Sequence, residues 1–260
     1  MVLGQVSCGR NTAEPTEIPK REPTRAEELT EESKASAVRI GTTYIWDGLS
    51  PNIAWYGHTI GALLSDALIE QTTRAVHEPG LAESWTVSDD ERVWTFEIRE
   101  GVMFRSGIPC TAEEIAWSMN WMREVGTDSL SHLFATFEGV VALDPTTLQV
   151  TTHQPVSSME YLLSWAWILP ESAWGAMIYE DVAEFDDLSA TLGTGSYRGV
   201  DWVEGEYLTL DAYEEYWRGI PAIVRIVYQQ YATEDALVQA LLAGEVDVIH
   251  SVSRLWRSKT

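Results

Sequence analysis

The chain is short of basic charge, of cysteine and of long apolar runs, and each shortage removes a class of function. Three lysines (Lys20, Lys34, Lys259) and fourteen arginines stand against 40 acidic residues, a net charge of −23. Neutralising phosphates takes clustered Lys and Arg, so nucleic acid is excluded as a partner. The richest apolar stretch, Trp165-Ala166-Trp167-Ile168-Leu169, falls far short of the roughly 20 residues a membrane-spanning helix needs. Two cysteines, Cys8 and Cys110, cannot build a disulfide framework. Five scattered histidines, with no H-x-x-x-H and no C-x-x-C spacing, give no metal-ligand pattern, and no cofactor is expected. Gly193-Thr194-Gly195 fails the dinucleotide fingerprint because Arg198 stands where a third glycine is required.

Catalytic motifs are equally sparse. No G-x-S-x-G elbow and no phosphate loop occur. Paired acids do occur, at Asp89-Asp90, Glu113-Glu114, Glu180-Asp181, Asp186-Asp187 and Glu214-Glu215. They read as a turn, a helix N-terminus and a solvated acidic face. A hydrolase built on two carboxylates is therefore the weakest of the readings carried forward, and no enzyme is expected.

What the sequence has is 260 residues, 45% of them hydrophobic, enough for one large domain or two small ones. It also has twelve tryptophans. Their area suits a core and their flat faces suit a cleft, so most are assigned to packing and a minority to a binding wall. Near the start, Met1-Val2-Leu3 and Val6-Ser7 run into Cys8-Gly9. This is similar to the end of a bacterial lipoprotein signal and makes Cys8 a candidate for acylation, the alternative being an incidental cysteine. Residues 1–37, rich in Glu, Thr and Pro beyond Gly9, bury too little to offset their ordering entropy and are expected to form a flexible tether.

The pattern then alternates. Val38, Ile40, Thr42 and Tyr44 predict a strand, and residues 59–68 a helix. Trp85 and Val87, a turn at Ser88-Asp89-Asp90-Glu91, and Trp94, Phe96 and Ile98 predict a hairpin, with 101–104 continuing the sheet. Thr111-Ala112-Glu113-Glu114 predicts a capping box opening a helix to about Val125. A strand is expected at Leu148 and Val150. A Trp-rich helix over 157–179 is interrupted at Pro170. A hairpin joins 197–203 to 207–213. A strand at 223–228, a helix at 233–243 stopped by Gly244, and a strand at 246–249 complete the chain. The order predicts a mixed α/β (α+β) fold.

Several of these stretches read together. Gly80-Leu81-Ala82-Glu83-Ser84-Trp85 precedes Trp94-Thr95-Phe96-Glu97-Ile98-Arg99, Gly101-Val102-Met103-Phe104 and Thr111-Ala112-Glu113-Glu114-Ile115. Gly193-Thr194-Gly195-Ser196-Tyr197, Tyr216-Trp217-Arg218-Gly219 and Leu241-Leu242-Ala243-Gly244-Glu245-Val246-Asp247 follow. In this order the set resembles the family-5 solute-binding proteins of ABC transporters, the oligopeptide, dipeptide and nickel binders. The resemblance implies one lobe of a class II periplasmic-binding-protein fold, from residues 38–52 and 189–250, with a family-specific subdomain, 53–188, inserted in it. It implies that the second lobe is missing, that 251–260 is a non-family tail, and that the chain is a fragment or a frameshifted form.

By the same resemblance, the protein takes up a small solute, most simply an oligopeptide or dipeptide, on the periplasmic or extracellular face of the membrane. It passes that solute to ABC permease subunits and touches the membrane only through a lipid anchor on Cys8. Ligand contacts are implied at Trp55, Tyr56, Gly57 and His58 and at Tyr228, Gln230 and Tyr231, with Tyr44 and Trp46 behind them. An oligosaccharide ligand on the same scaffold, stacked on tryptophan, is the alternative.

Overall fold

The computed structural model describes residues 37–43, 58–72, 76–125, 134–176 and 188–250 (for 58, 59, 125, 189 and 190 the backbone only). Cys8 and the tether, and the ligand-contact candidates Tyr44, Trp46, Trp55, Tyr56 and Gly57, lie outside those residues, as does Asp186-Asp187.

Two sheets carry the fold. The first has five strands: β1 (Ala37–Thr42), β8 (Tyr197–Val203), β9 (Tyr207–Ala212), β10 (Arg225–Gln230) and β11 (Val248–His250). Their order is β11-β1-β10-β9-β8. β10, β1 and β11 run parallel, while β9 and β8 are antiparallel to their neighbours. α5 (Glu234–Ala243) connects β10 to β11 and lies across β1. Its start is capped by the Thr233 hydroxyl, which accepts from Ala236 N–H at 3.1 Å, and its end by Gly244 in the left-handed region at φ 73°. α5 approaches so closely because residue 41 has no side chain: a Cβ there would collide with Leu237.

The second sheet, in the order β4-β5-β7-β6, joins β4 (Ala82–Val87), β5 (Val93–Ile98), β6 (Phe137–Asp144) and β7 (Thr147–Thr152). All its pairings are antiparallel. Phe96, Leu148 and Val150 are fully buried beneath α2 (Ala112–Val125), which contributes Ile115, Met119 and Met122. The opposite face is wet, as alternation requires. A short pair, β2 (Ile69–Gln71) and β3 (His77–Pro79), follows α1 (His58–Leu64). One continuous apolar core runs from Phe96 and Phe104 to Leu208, Leu210, Ile226 and Tyr228, so the two sheets are packed together.

Four sequence expectations need correction. Residues 101–104 make no strand: Gly101 at φ 78° and Gly107 at φ 82° fold them into a loop closed by a Met103–Pro109 bridge. The Trp-rich segment is not one broken helix but α3 (Met159–Leu163) and α4 (Glu171–Trp174) joined by extended chain. There Ile168 N–H donates to Asp66 O at 3.1 Å and Leu169 N–H to Ser118 Oγ at 2.9 Å. The reciprocal capping box at Thr111 and Glu114 is replaced by other partners. The Glu114 carboxylate accepts from Glu171 N–H at 3.2 Å, holding the start of α4, while Thr111 N–H donates to Pro109 O at 3.2 Å. α1 ends at Leu64 and not at Leu68, because Asp66 is drawn into a polar cluster described below.

Candidate functional site

In open sheets with parallel strands, ligands meet the carboxyl ends of those strands. Here that edge is formed by Thr42 of β1, Gln230 of β10 and His250 of β11, which lie abreast in the register. Tyr231 continues from β10, and its N–H donates to Thr42 O at 2.8 Å. Its ring packs toward Gly41 on the α5 side. Gln230 N–H donates to Glu206 O at 2.7 Å, tying the end of β10 to the β8–β9 turn. In sequence, residues 44–57 lie between this edge and α1, outside the described residues.

The structure thus brings Gln230 and Tyr231 together at the strand ends and places His58 as the first residue of α1. Tyr228 is different. It is 4% exposed and belongs to the core with Leu208 and Ile226, and burial pushes its hydroxyl up to about 12. Side chains alternate along a strand, so Tyr228 and Gln230 share a face. Tyr228 lies two residues deeper under the core, where it is a packing residue.

α1 is held by a group that the sequence did not single out. Arg105 donates from Nε to Thr191 O at 2.6 Å, from Nη1 to Gly195 O at 2.8 Å, and from Nη2 to Leu64 O. The residue as a whole is half-buried, but its guanidinium sits among three carbonyls, and desolvation lowers its pKa to about 10. A planar fork of donors suits three diverging acceptors, which an ammonium could not match. Arg105 therefore clamps the C-terminus of α1 to the loop that opens β8.

A second polar cluster joins the sheets. Asp66, 6% exposed, accepts from Tyr216 Oη at 2.8 Å and from Trp217 Nε1 at 2.9 Å, and its N–H donates to Thr194 Oγ1 at 3.1 Å. Burial raises its pKa from the ordinary carboxylate value despite these donors. Two guanidinium groups lie over the Trp217 ring, Arg99 at 4.7 Å and Arg218 at 4.3 Å from its centroid. Arg218 in turn pairs with Glu70 at 2.7 Å. The Tyr216-Trp217-Arg218 motif is thus a structural bridge from β9 to the α1–β2 corner. Beside it a cleft of about 520 Å³ is lined by Ser65, Glu70, Ser164, Trp165, Trp167 and Tyr216, among others, and shares no residue with the strand ends. Among the described residues no group of His, Cys, Asp and Glu is arranged to hold a metal ion, and no helix is long and apolar enough to cross a membrane.

Comparison with known proteins agrees with this architecture. The sequence model for bacterial extracellular solute-binding proteins, family 5 (middle), matches residues 77–255. The periplasmic oligopeptide-binding protein OppA of Escherichia coli is 28% identical over 194 residues, which are 66% of this chain and 35% of that protein. The glutathione-binding protein GsiB of Escherichia coli is 27% identical over 171 residues, 64% of this chain and 32% of that one. In fold, NikZ of Campylobacter jejuni, solved with Ni(L-His), superposes with a TM-score of 0.72 at 20% identity, covering 81% of this chain and 42% of its own. The oligopeptide-binding protein AppA of Bacillus subtilis, solved with a nonapeptide, gives 0.73 at 18%, covering 81% and 43%. The chain therefore spans about a third of the length of the relatives it matches. On the family match over residues 77–255, the chain belongs to the family-5 bacterial extracellular solute-binding proteins.

Proposed function

We propose that the described residues form one ligand-bearing wall of an extracytoplasmic binding protein that captures a small solute, an oligopeptide or dipeptide, for an ABC importer. The observation that carries this reading is the set of parallel strand ends. Thr42, Gln230 and Tyr231 meet there, and Tyr44, Trp46, Trp55, Tyr56 and Gly57 follow β1 closely in sequence. Main-chain groups and aromatic walls grip an extended peptide without reading every side chain. Capture in this reading is binding without chemistry, and a second lobe from a longer polypeptide closes over the ligand and signals to the permease subunits. The protein acts at the periplasmic or extracellular face, with Cys8 as the lipid anchor.

The relatives support the peptide class: OppA is an oligopeptide-binding and GsiB a glutathione-binding protein by name. A second reading, an oligosaccharide, is favoured by Trp165 and Trp167 in the 520 Å³ cleft. Calorimetry of the chain with trialanine and with cellotriose separates the two. A single wall encloses little, so a dissociation constant on the order of 1 mM is expected for the peptide. Heat with the sugar alone overturns the peptide reading.

A further inference from the structure

The cleft beside Asp66 is a cavity that capture at the strand ends does not use. Its volume of about 520 Å³ falls within the roughly 300–1,000 Å³ typical of small-molecule sites. None of its lining residues belongs to the strand ends.

Two tryptophans give it flat walls. Trp167 is 5% exposed and its ring lies against α1 at Gly61, where a Cβ would come within 3.1 to 3.2 Å of three ring atoms. Trp165 is half-buried, and Tyr161 steadies its ring at 5.5 Å between centroids. The polar groups are held just as firmly. Arg218 grips Glu70 at 2.7 Å and donates to Pro79 O at 2.9 Å, while Tyr216 and Trp217 hold Asp66. Gln71, next along β2, is exposed and lines the same cleft.

Charge decides what fits. Arg218 in the wall repels a cationic ligand, and Glu70 with Asp66 repels an anionic one. A neutral molecule with an apolar face and a rim of hydroxyls meets both demands. Its face stacks on an indole, and its hydroxyls donate to the carboxylates and accept from Gln71 and Arg218. A pyranose has that shape.

We infer that this cleft is a second binding site, for a neutral pyranose, which operates beside the strand-end site and not in place of it. Trp165 supplies the stacking face, Glu70 and Gln71 bond the hydroxyls, and Trp167 and Asp66 form the fixed floor. This site stands whatever solute the strand ends take.

The test uses the full isotope-labelled chain with cellobiose, with tetramethylammonium chloride and sodium acetate as charged counterparts, and with trialanine. Cellobiose is expected to move the Trp165 indole N–H resonance saturably, with a dissociation constant on the order of 1 mM, equal with and without trialanine. Trp165→Ala, read at the Gln71 side-chain amide, should weaken cellobiose about tenfold. Gln71→Ala, at an exposed position, should weaken it severalfold with an unchanged circular dichroism spectrum. Gln230→Ala should leave it intact. The pyranose site is ruled out if cellobiose leaves the Trp165 indole unmoved, if either charged probe moves it more, if trialanine displaces the sugar, or if either cleft variant binds as tightly as the parent. Failure of trialanine at the strand ends would overturn the peptide reading and leave the pyranose site standing.

Discussion

Single residues set the geometry on which the candidate site depends. Asp66 is a buried carboxylate that accepts from the Tyr216 phenol and the Trp217 indole. Removing it in Asp66→Ala leaves Tyr216 Oη and Trp217 Nε1 without their acceptor and should cost about 2 kcal/mol, read as a lower denaturant midpoint at unchanged slope. Its raised pKa also has a sign: the folded state holds the Asp66 proton more tightly than the unfolded chain does. Its contribution is fully present at acid pH and is lost as pH rises through the folded value. Arg105 is the second case. Arg105→Lys keeps the charge but not the fork, and should cost about 2 kcal/mol through the carbonyls of Leu64, Thr191 and Gly195. Neither role is visible in the sequence, where Asp66 and Arg105 are lone charges in apolar surroundings. Their partners are distant in the chain, 150 residues away for Tyr216 and 86 for Thr191.

Elements were legible where period and caps agreed and illegible where the chain broke its own period. The β4–β5 and β8–β9 hairpins and α5 with its Thr233 and Gly244 caps stand essentially where alternation and cap chemistry put them. β6 escaped notice because irregularities between Phe137 and Gly139 and between Ala142 and Asp144 shift its phase twice. β2 and β3, three residues each, are too short to show any period. The Trp-rich helix, expected to break at Pro170, already ends at Leu163. The segment then spends its N–H groups on Asp66 and Ser118. Gln230 and Tyr231 entered through the family resemblance, since the predicted strand stopped at Tyr228 and the strand in fact runs to Gln230, whereas the burial of Tyr228 needed the partner strand β9 to be known. At this scale the Arg39–Asp247 pair ties β1 to the approach to β11. The Arg39 guanidinium holds the Asp247 carboxyl below its ordinary range. That stabilisation is present above the unfolded carboxylate pKa and fades as pH falls through the folded one. Both side chains are over 40% exposed, so Asp247→Asn should cost less than about 1 kcal/mol at neutral pH, and less still in high salt.

At the scale of the whole molecule, two sheets share one core, the parallel strands β10, β1 and β11 end abreast, and Arg105 clamps α1 to the loop that opens β8. Binding proteins of this kind gain affinity by excluding water from both sides of the ligand, so one wall should bind weakly but at the correct place. Titrating the isotope-labelled chain with trialanine and following each backbone amide tests this most directly. The account predicts saturable shifts concentrated at Thr42, Gln230 and Tyr231, with the indole of Trp165 in the separate cleft unmoved. Shifts that gather at Trp165 and Trp167 and leave the strand ends silent would contradict it.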